Sequence, residues 1–558
     1  MVLNSTISST ICAPVGLSFR TLRRMLRCVI SSGLDRAQII SPRSSTILLQ
    51  KLLMQTLGSS WVGNPEMKFA FISPGANEEL SLTEKSKVIG SWPPLGILYI
   101  ATVLRDEGVE VALLDQAAEG YSVTQAAGWV EKENPDMLGF SALASSGKTA
   151  ARIAAKVKER IPEITTVFGN YYATFNDKRI LTTYPQVDIV VRGEGEETTR
   201  ELVKVVEENR DLKQVEGLTF REHRRIIATP DRPLIESIDE LPIPDRDLLN
   251  VEYHSTLVGA IGAPKKFTTV LSSRGCPYRC RFCGCQNIVH GTWRPRSVEK
   301  TFEELQQLRS EGYRQFLFVD DSFTINQKRV ISLCRKIIEE KLDIEWICEG
   351  RVNHASYELL RSMVKAGCKI IYFGIESASQ RILNYYNKQI TPQQSDNAVR
   401  TARRAGMDII VGSFIVGAPT ETRQEIETTL QFAQKVPLDV PQYNILGVFP
   451  GMAIWDEFRA KGFLTQQMED KHWEMGVAVA NVHPDTVAYE EIKNLIRKYY
   501  RKFFIQRPDF LFTQLARTMK SPFRLHIVKT NLGRINSILK GWKDFVAFEG
   551  REQCEIEL

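Results

Sequence analysis

Three cysteines, Cys276, Cys280 and Cys283, stand at C-x3-C-x2-C spacing between Arg274 and Gln286. At that spacing one short loop can wrap three thiolates around a single inorganic centre. Thiolates select zinc or iron–sulfur centres, and a structural zinc site has all four of its positions filled by protein. Electron-carrying clusters are likewise held by four cysteines. Three ligands leave a position open, and an open iron can bind a substrate. Cys285 could close the site, but two residues beyond Cys283 its side chain is expected to point away from the loop interior. A zinc loop is the alternative reading.

Such a loop needs a scaffold, and the pattern from Lys266 onward supplies one. Strands are expected at 267–272, 315–320, 345–349, 369–375, 408–416 and 442–448, with helices at 298–310, 327–340, 357–366, 391–405 and 421–435. Six strand–helix units make a partial (βα)6 TIM barrel, whose active groups belong at the C-terminal ends of the strands. The cysteine loop follows the first strand. Asp320 and Asp321 end the second, Arg351 follows the third, Gly374-Ile375-Glu376-Ser377 ends the fourth, and Gly417 to Glu421 ends the fifth.

Upstream, strands are expected at 68–73, 110–115, 136–141, 165–169 and 187–192, with helices at 96–105, 150–160 and 196–207. Strict alternation implies a parallel sheet covered on both faces, a Rossmann-like (flavodoxin-like) α/β fold with ligands at the strand ends. Ser73, Asp115, Ser141, Gly169, Gly193, Glu194 and Gly195 fall on that rim. The expected division is a Rossmann-like domain over 67–210, a linker with a hairpin and a Pro-rich strap over 211–264, the partial barrel over 265–452 and a mainly helical, basic C-terminal region over 453–558. Residues 1–66 are rich in Ser, Thr and Arg with only Asp35 and Glu66 as acids. They read as a disordered leader, or an upstream extension ahead of a natural start at Met67.

The cysteine spacing resembles the signature of the radical SAM superfamily, in which the open iron of a 4Fe-4S cluster chelates S-adenosylmethionine. The resemblance extends to Phe282, which would pack near the adenine, and to Gly374-Ile375-Glu376-Ser377, where Glu376 and Ser377 would contact the ribose or methionine part. Arg351 is either a carboxylate partner or half of an intradomain salt bridge. Asp320 and Asp321 are either ligand contacts or helix N-caps.

The upstream segment resembles the cobalamin-binding domain that precedes many radical SAM domains, notably in Val190 to Glu196 and Phe168 to Thr174. In cobalamin mutases Asp-x-His-x-x-Gly gives a histidine to cobalt, but here Ala117 stands in that place. Members fused to radical SAM domains commonly lack that histidine. No cysteine lies in 67–210, which counts against the methylthiotransferase branch.

The resemblance implies a cobalamin-dependent radical SAM enzyme that forms a 5′-deoxyadenosyl radical and methylates an unactivated carbon, with ferredoxin or flavodoxin as electron donor. The alternatives are oxidation or ring closure, as in anaerobic magnesium-protoporphyrin ester cyclase, and a corrinoid-binding sensor with a structural cluster.

Composition bounds the rest. The 558 residues are 43% hydrophobic and 25% charged, a globular balance. Ten cysteines without a pairing pattern point to a reducing, cytoplasmic compartment. The net charge of +6 hides a basic tail: from Arg497 to Phe545, twelve Lys or Arg face only Asp509 and Asp544. Interleaved with aromatics, that charge suggests peripheral membrane contact and a hydrophobic or lipid-like substrate. Nucleic acid is not expected, because no recognised binding fold accompanies the patch.

Overall fold

Along Lys68–Ser73, Phe69 and Phe71 turn to one face and Ala70 and Ile72 to the other, and none of the four is more than 4% exposed. A strand buried on both faces belongs in the middle of a parallel sheet. The computed structural model, which describes residues 67–76, 92–223, 225–257, 260–475, 478–483 and 485–531, puts it there. Strand β1 (Lys68–Ser73) lies between β2 (Glu110–Asp115) and β3 (Met137–Ser141), followed by β4 (Thr165–Gly169) and β5 (Ile189–Val191), all parallel. Helices Leu95–Asp106 and Gly195–Glu207 pack on the Phe69 face, and Val123–Glu133 and Gly147–Lys158 on the other. The expected leader at 1–66 and the last part of the expected helical C-terminal region, 532–558, lie outside the described residues.

The order β2-β1-β3-β4-β5 reverses between β1 and β3, and such a reversal opens a crevice at the carboxyl ends of the strands. The rings of Phe69 and Phe71 stack at 4.3 Å on the face of β1 that lines that crevice. Gly139 makes room for them, since a Cβ there would stand 2.7 Å from Phe71. The hairpin β6 (Leu218–Glu222) and β7 (Arg225–Ala228) adds two antiparallel strands at the β5 edge.

The second sheet begins inside the stretch expected to be a linker. Strand β8 (His254–Leu257) runs antiparallel to β9 (Ala260–Val270), an edge strand the pattern did not announce. After β9 comes a small ribbon, β10 (Ser273–Arg274) paired with β11 (Arg294–Pro295), and then β12 (Gln315–Phe318), β13 (Glu345–Gly350), β14 (Cys368–Glu376), β15 (Ile409–Val416) and β16 (Val440–Ile445). The six long strands are parallel and neighbour one another in sequence order, the expected partial barrel. Period-two alternation sorts its core: Phe316, Phe318, Trp346, Cys348, Ile371 and Phe373 pack outward on the helices, while Leu317, Ile347, Ile370 and Val411 form an inner layer.

Phe523 and the partly buried Ile527 of helix Pro522–Asn531 pack on that inner layer and plug the barrel floor. Charge holds the plug in place. Asp439, immediately before β16, accepts from Arg403 at 2.6 Å, Arg517 at 2.5 Å and Arg524 at 2.7 Å. Part of the basic tail is therefore spent on the floor of the fold. Among the described residues no helix is long and apolar enough to cross a membrane.

Candidate functional site

The cysteine loop leaves the top of β9 through the β10–β11 ribbon. Its backbone is tied at several points: Gly275 N–H donates to Asp321 at 2.9 Å, Gln286 Nε2 to the Cys276 carbonyl at 2.9 Å, and Asn387 Nδ2 to the Arg279 carbonyl at 2.9 Å. Arg351, 6% exposed, sits over the Tyr278 ring at 3.5 Å and brings Nη1 to 3.7 Å from Cys280 Sγ. Burial and that guanidinium push His354, hydrogen-bonded to the Tyr278 hydroxyl, below its ordinary pKa. Burial raises the Cys276 thiol.

Cys285 does not point away. It is 9% exposed and sits in helical backbone at the start of the turn Gln286–Val289, which swings its thiol back against Cys283. A hydrogen bond from Cys285 lowers the Cys283 pKa although burial opposes it.

Across the mouth, Glu376 occupies the left-handed region at φ +63° and binds Lys388 Nζ at 2.6 Å. Lys388 is 7% exposed, lies 5.6 Å from the Phe282 ring, and its carbonyl accepts from Arg351. Gly374 is dictated by this pair, because a Cβ there would stand 2.5 Å from Glu376 Oε1 and 2.8 Å from Lys388 Nζ. Phe282 meets Tyr386 edge-on at 5.1 Å.

The crevice of the first sheet opens onto this loop. A cavity of about 310 Å³ is lined by Ser141, Gly169, Gly193 and Gly195 from the first sheet and by Arg274, Gly275 and Asp321 from the barrel. A Cβ at Gly193 would meet nothing within 4 Å, and one at Gly169 only the Val191 carbonyl at 4.0 Å, so the glycines leave a cradle that side chains would fill. No histidine is among the lining residues.

Residues 270–433 match the Radical SAM superfamily and residues 85–203 match the B12 binding domain. An uncharacterized methyltransferase of Pyrococcus horikoshii is 38% identical over 430 residues, 76% of this chain and 90% of that protein. The anaerobic magnesium-protoporphyrin IX monomethyl ester cyclase of Cereibacter sphaeroides is 28% identical over 455 residues, 80% of this chain and 71% of that one. The solved structure of TsrM from Kitasatospora setae, a radical S-adenosylmethionine methyltransferase with cobalamin and a 4Fe-4S cluster bound, shares the fold. Its TM-score is 0.59 at 17% identity, over 71% of this chain and 75% of that one.

The chain is a cobalamin-binding radical SAM enzyme. Its cofactors are a 4Fe-4S cluster, S-adenosylmethionine and cobalamin. The donor set fits the cluster: Cys276, Cys280 and Cys283 stand on one short loop and leave one iron of a cubane open. The glycine cradle fits a large planar ligand.

Several residues of this radical SAM enzyme lie elsewhere than the sequence suggests. Asp320 faces no ligand surface and caps no helix: it is fully buried and accepts from Ser272 N–H at 2.8 Å, Ser272 Oγ at 2.7 Å and Ser273 Oγ at 2.5 Å. Ser377 is 0% exposed and bonds Thr429 Oγ1 at 3.1 Å, bracing the end of β14. Among the described residues Arg351 makes no salt bridge. Asp115 is outside the cavity, since β2 lies beyond β1 on the far side of the reversal; it caps Gln116–Glu119 and accepts from the Tyr253 hydroxyl at 2.6 Å. Ser73 does not line the cavity either.

Glu194 lines the cavity, but both its oxygens are taken, by Arg274 at 3.0 Å, by Arg294 at 2.8 Å and by Ile235 N–H at 2.8 Å. Glu196 also pairs with Arg274. Arg274 and Arg294 are register partners in the β10–β11 ribbon, so two carboxylates of the corrinoid-domain rim clasp the strand leading into Cys276. Burial opposes ionisation of Glu194, yet Arg294 and Arg274 hold its pKa below the ordinary carboxylate value. Sequence reading passed over Arg274, Arg294 and Lys388. Tyr171, within the Phe168 to Thr174 stretch, lines the cavity beside Asn170.

Glu421, at the end of β15, is 1% exposed; Oε2 accepts from Gly417 and Ala418 N–H at 2.7 and 2.9 Å, and among the described residues Oε1 has no partner. Burial raises its pKa from 4.5 to about 7, against the pull of those N–H groups. The folded chain therefore keeps a proton that the unfolded chain gives up near pH 4.5. Stability is fully present below that pH and falls, by up to roughly 3 kcal/mol, as pH rises through about 7. Glu421→Gln keeps an acceptor for both N–H groups, and the difference in melting temperature between variant and parent should change across pH 5 to 8. A constant difference refutes the assignment.

Proposed function

We propose that this enzyme is a methyltransferase that acts on an unactivated carbon of a small molecule admitted through the barrel mouth. The observation that carries the reading is a shared wall: Gly275, immediately before Cys276, lines the same cavity as Gly169 and Gly193. The name of the Pyrococcus relative supports methyl transfer.

In this reading Cys276, Cys280 and Cys283 hold the cluster, and Arg351 beside Cys280 offsets its negative charge. Glu376, fixed by Lys388, receives S-adenosylmethionine together with Phe282 and the open strand end at Gly374. Ser141, Gly169, Gly193 and Gly195 receive the corrinoid. When bound, the cluster and S-adenosylmethionine supply a radical for hydrogen abstraction, and the corrinoid supplies a methyl group. The chain contributes position and exclusion of water. Lys388, nearly buried, needs no reorganisation to hold the Glu376 carboxylate in place.

In this reading the corrinoid domain runs from 67 past 210 through the β6–β7 hairpin, and the barrel begins before 265, at β8, and runs to 452. A one-electron donor such as ferredoxin or flavodoxin is the protein partner. The basic tail does not argue for a lipid-like substrate, because Arg517 and Arg524 sit at the floor, the opposite end of the strands from the cysteines.

The test is anaerobic turnover with S-adenosylmethionine labelled in its methyl group, given extracts of the native host as substrate source. Label in a product carbon is the expected result. Release of 5′-deoxyadenosine without label would favour ring closure or oxidation, the reading suggested by the Cereibacter relative. No turnover of S-adenosylmethionine would leave the sensor reading.

A further inference from the structure

Helix Pro508–Lys520 is seated on one side only. Phe510 is buried and Arg517 reaches Asp439, while Leu511, Phe512, Leu515 and Met519 stand 50%, 73%, 60% and 69% exposed. At 3.6 residues per turn these four share one arc of about 100°. Ile505, just ahead of the helix, is 64% exposed. Single exposed apolar residues are ordinary, but a contiguous strip marks an interaction surface.

The segment that carries the strip is basic. Residues 501–531 hold seven Lys or Arg and one acid, Asp509. Arg517 and Arg524 are drawn inward to Asp439, a single carboxylate that also carries Arg403. Arg501 and Lys520 are exposed, the latter ending the helix that carries the strip.

We propose that helix Pro508–Lys520 is an in-plane membrane anchor, its strip entering the headgroup region of an anionic bilayer. An apolar face with cations beside it is the composition that binds such surfaces. A second copy of the chain is the poorer occupant, since two like-charged surfaces would have to meet. The neighbouring helix Pro522–Asn531 plugs the barrel floor, so the anchored enzyme turns its floor to the membrane and its cysteine loop to water. This inference is independent of the reaction catalysed.

The experiment is co-sedimentation of the full-length protein with phosphatidylserine–phosphatidylcholine vesicles and with phosphatidylcholine vesicles, at low and high salt. Binding to the anionic vesicles, weakened by salt, is expected. Phe512→Ser with Leu515→Ser should lower the affinity by at least roughly tenfold, from the apolar area lost. Both side chains are exposed, so the melting temperature should not change. Vesicle binding that the double variant leaves intact overturns the proposal. So does no binding at low salt. A dimer in sedimentation velocity that the variant dissolves, without vesicle binding, assigns the strip to a second copy instead. If only a chain truncated after Asn531 binds vesicles, the remaining segment covers the strip and the proposal fails for the intact protein.

Discussion

Glu194→Gln is expected to cost about 3 kcal/mol of stability and to weaken cobalamin binding by tenfold or more. The side chains of Glu194, Arg274 and Arg294 are only 13%, 13% and 8% exposed. Removing one partner from such a group leaves a buried charge uncompensated, at about 3 to 5 kcal/mol. The lower figure applies because Glu196 stays with Arg274. Every 1.4 kcal/mol is tenfold in an equilibrium, so loosening of the ribbon against the cavity wall is ample to depress affinity. Titration with hydroxocobalamin by absorbance and a thermal melt measure the two effects. Glu194→Gln combined with Arg294→Gln removes the stranded cation as well and should recover part of the loss, a non-additivity that contacting residues show. If Glu194→Gln binds cobalamin and melts like the parent, the clasp is not what joins the cavity to the loop.

That clasp also shows where the sequence stops being legible. The cysteine spacing and Gly374-Ile375-Glu376-Ser377 can be read because each carries its chemistry in one short run at a strand end. Arg274 and Glu194 are 80 residues apart and Arg294 and Glu194 are 100 apart; a charge says nothing about which distant charge it will meet. A strand-end position offers Asp320 as a ligand contact or a helix N-cap, but Ser272 and Ser273, at the end of the neighbouring strand, occupy its oxygens. Lys388 sits in a loop with no periodicity to draw attention to it. Spacing alone does not place Cys285, since the local backbone turns helical just after the third ligand. The basic tail is the same problem in reverse. Its amphipathic pattern is plain, yet which cations reach water depends on Asp439, 78 residues from Arg517 and 85 from Arg524.

Gly275→Ala is expected to lose the cluster almost as completely as Cys276→Ala, although it removes no ligand. Gly275 has φ +86°, where an L side chain costs about 1–2 kcal/mol by itself. The larger cost is steric: an added Cβ would lie 2.2 Å from the Thr292 carbonyl oxygen and 3.2 Å from Val289 Cβ. The nearest obstacle is backbone, so no rotamer change relieves it. Either the β10–β11 ribbon opens at Arg274 and Arg294, or the chain entering Cys276 moves, and both displace the first thiol. After anaerobic reconstitution the parent should hold about four irons per chain and the variant close to none. Gly193→Ala is the control that separates this from a general dislike of alanine at positive φ. At φ +72° it carries a similar conformational cost, but its Cβ meets nothing within 4 Å and projects into the cradle. That variant should keep its iron and lose affinity for cobalamin. If both variants lose iron alike, backbone strain rather than the Thr292 contact governs the loop. If Gly275→Ala keeps its iron, the ribbon is not what sets the position of Cys276.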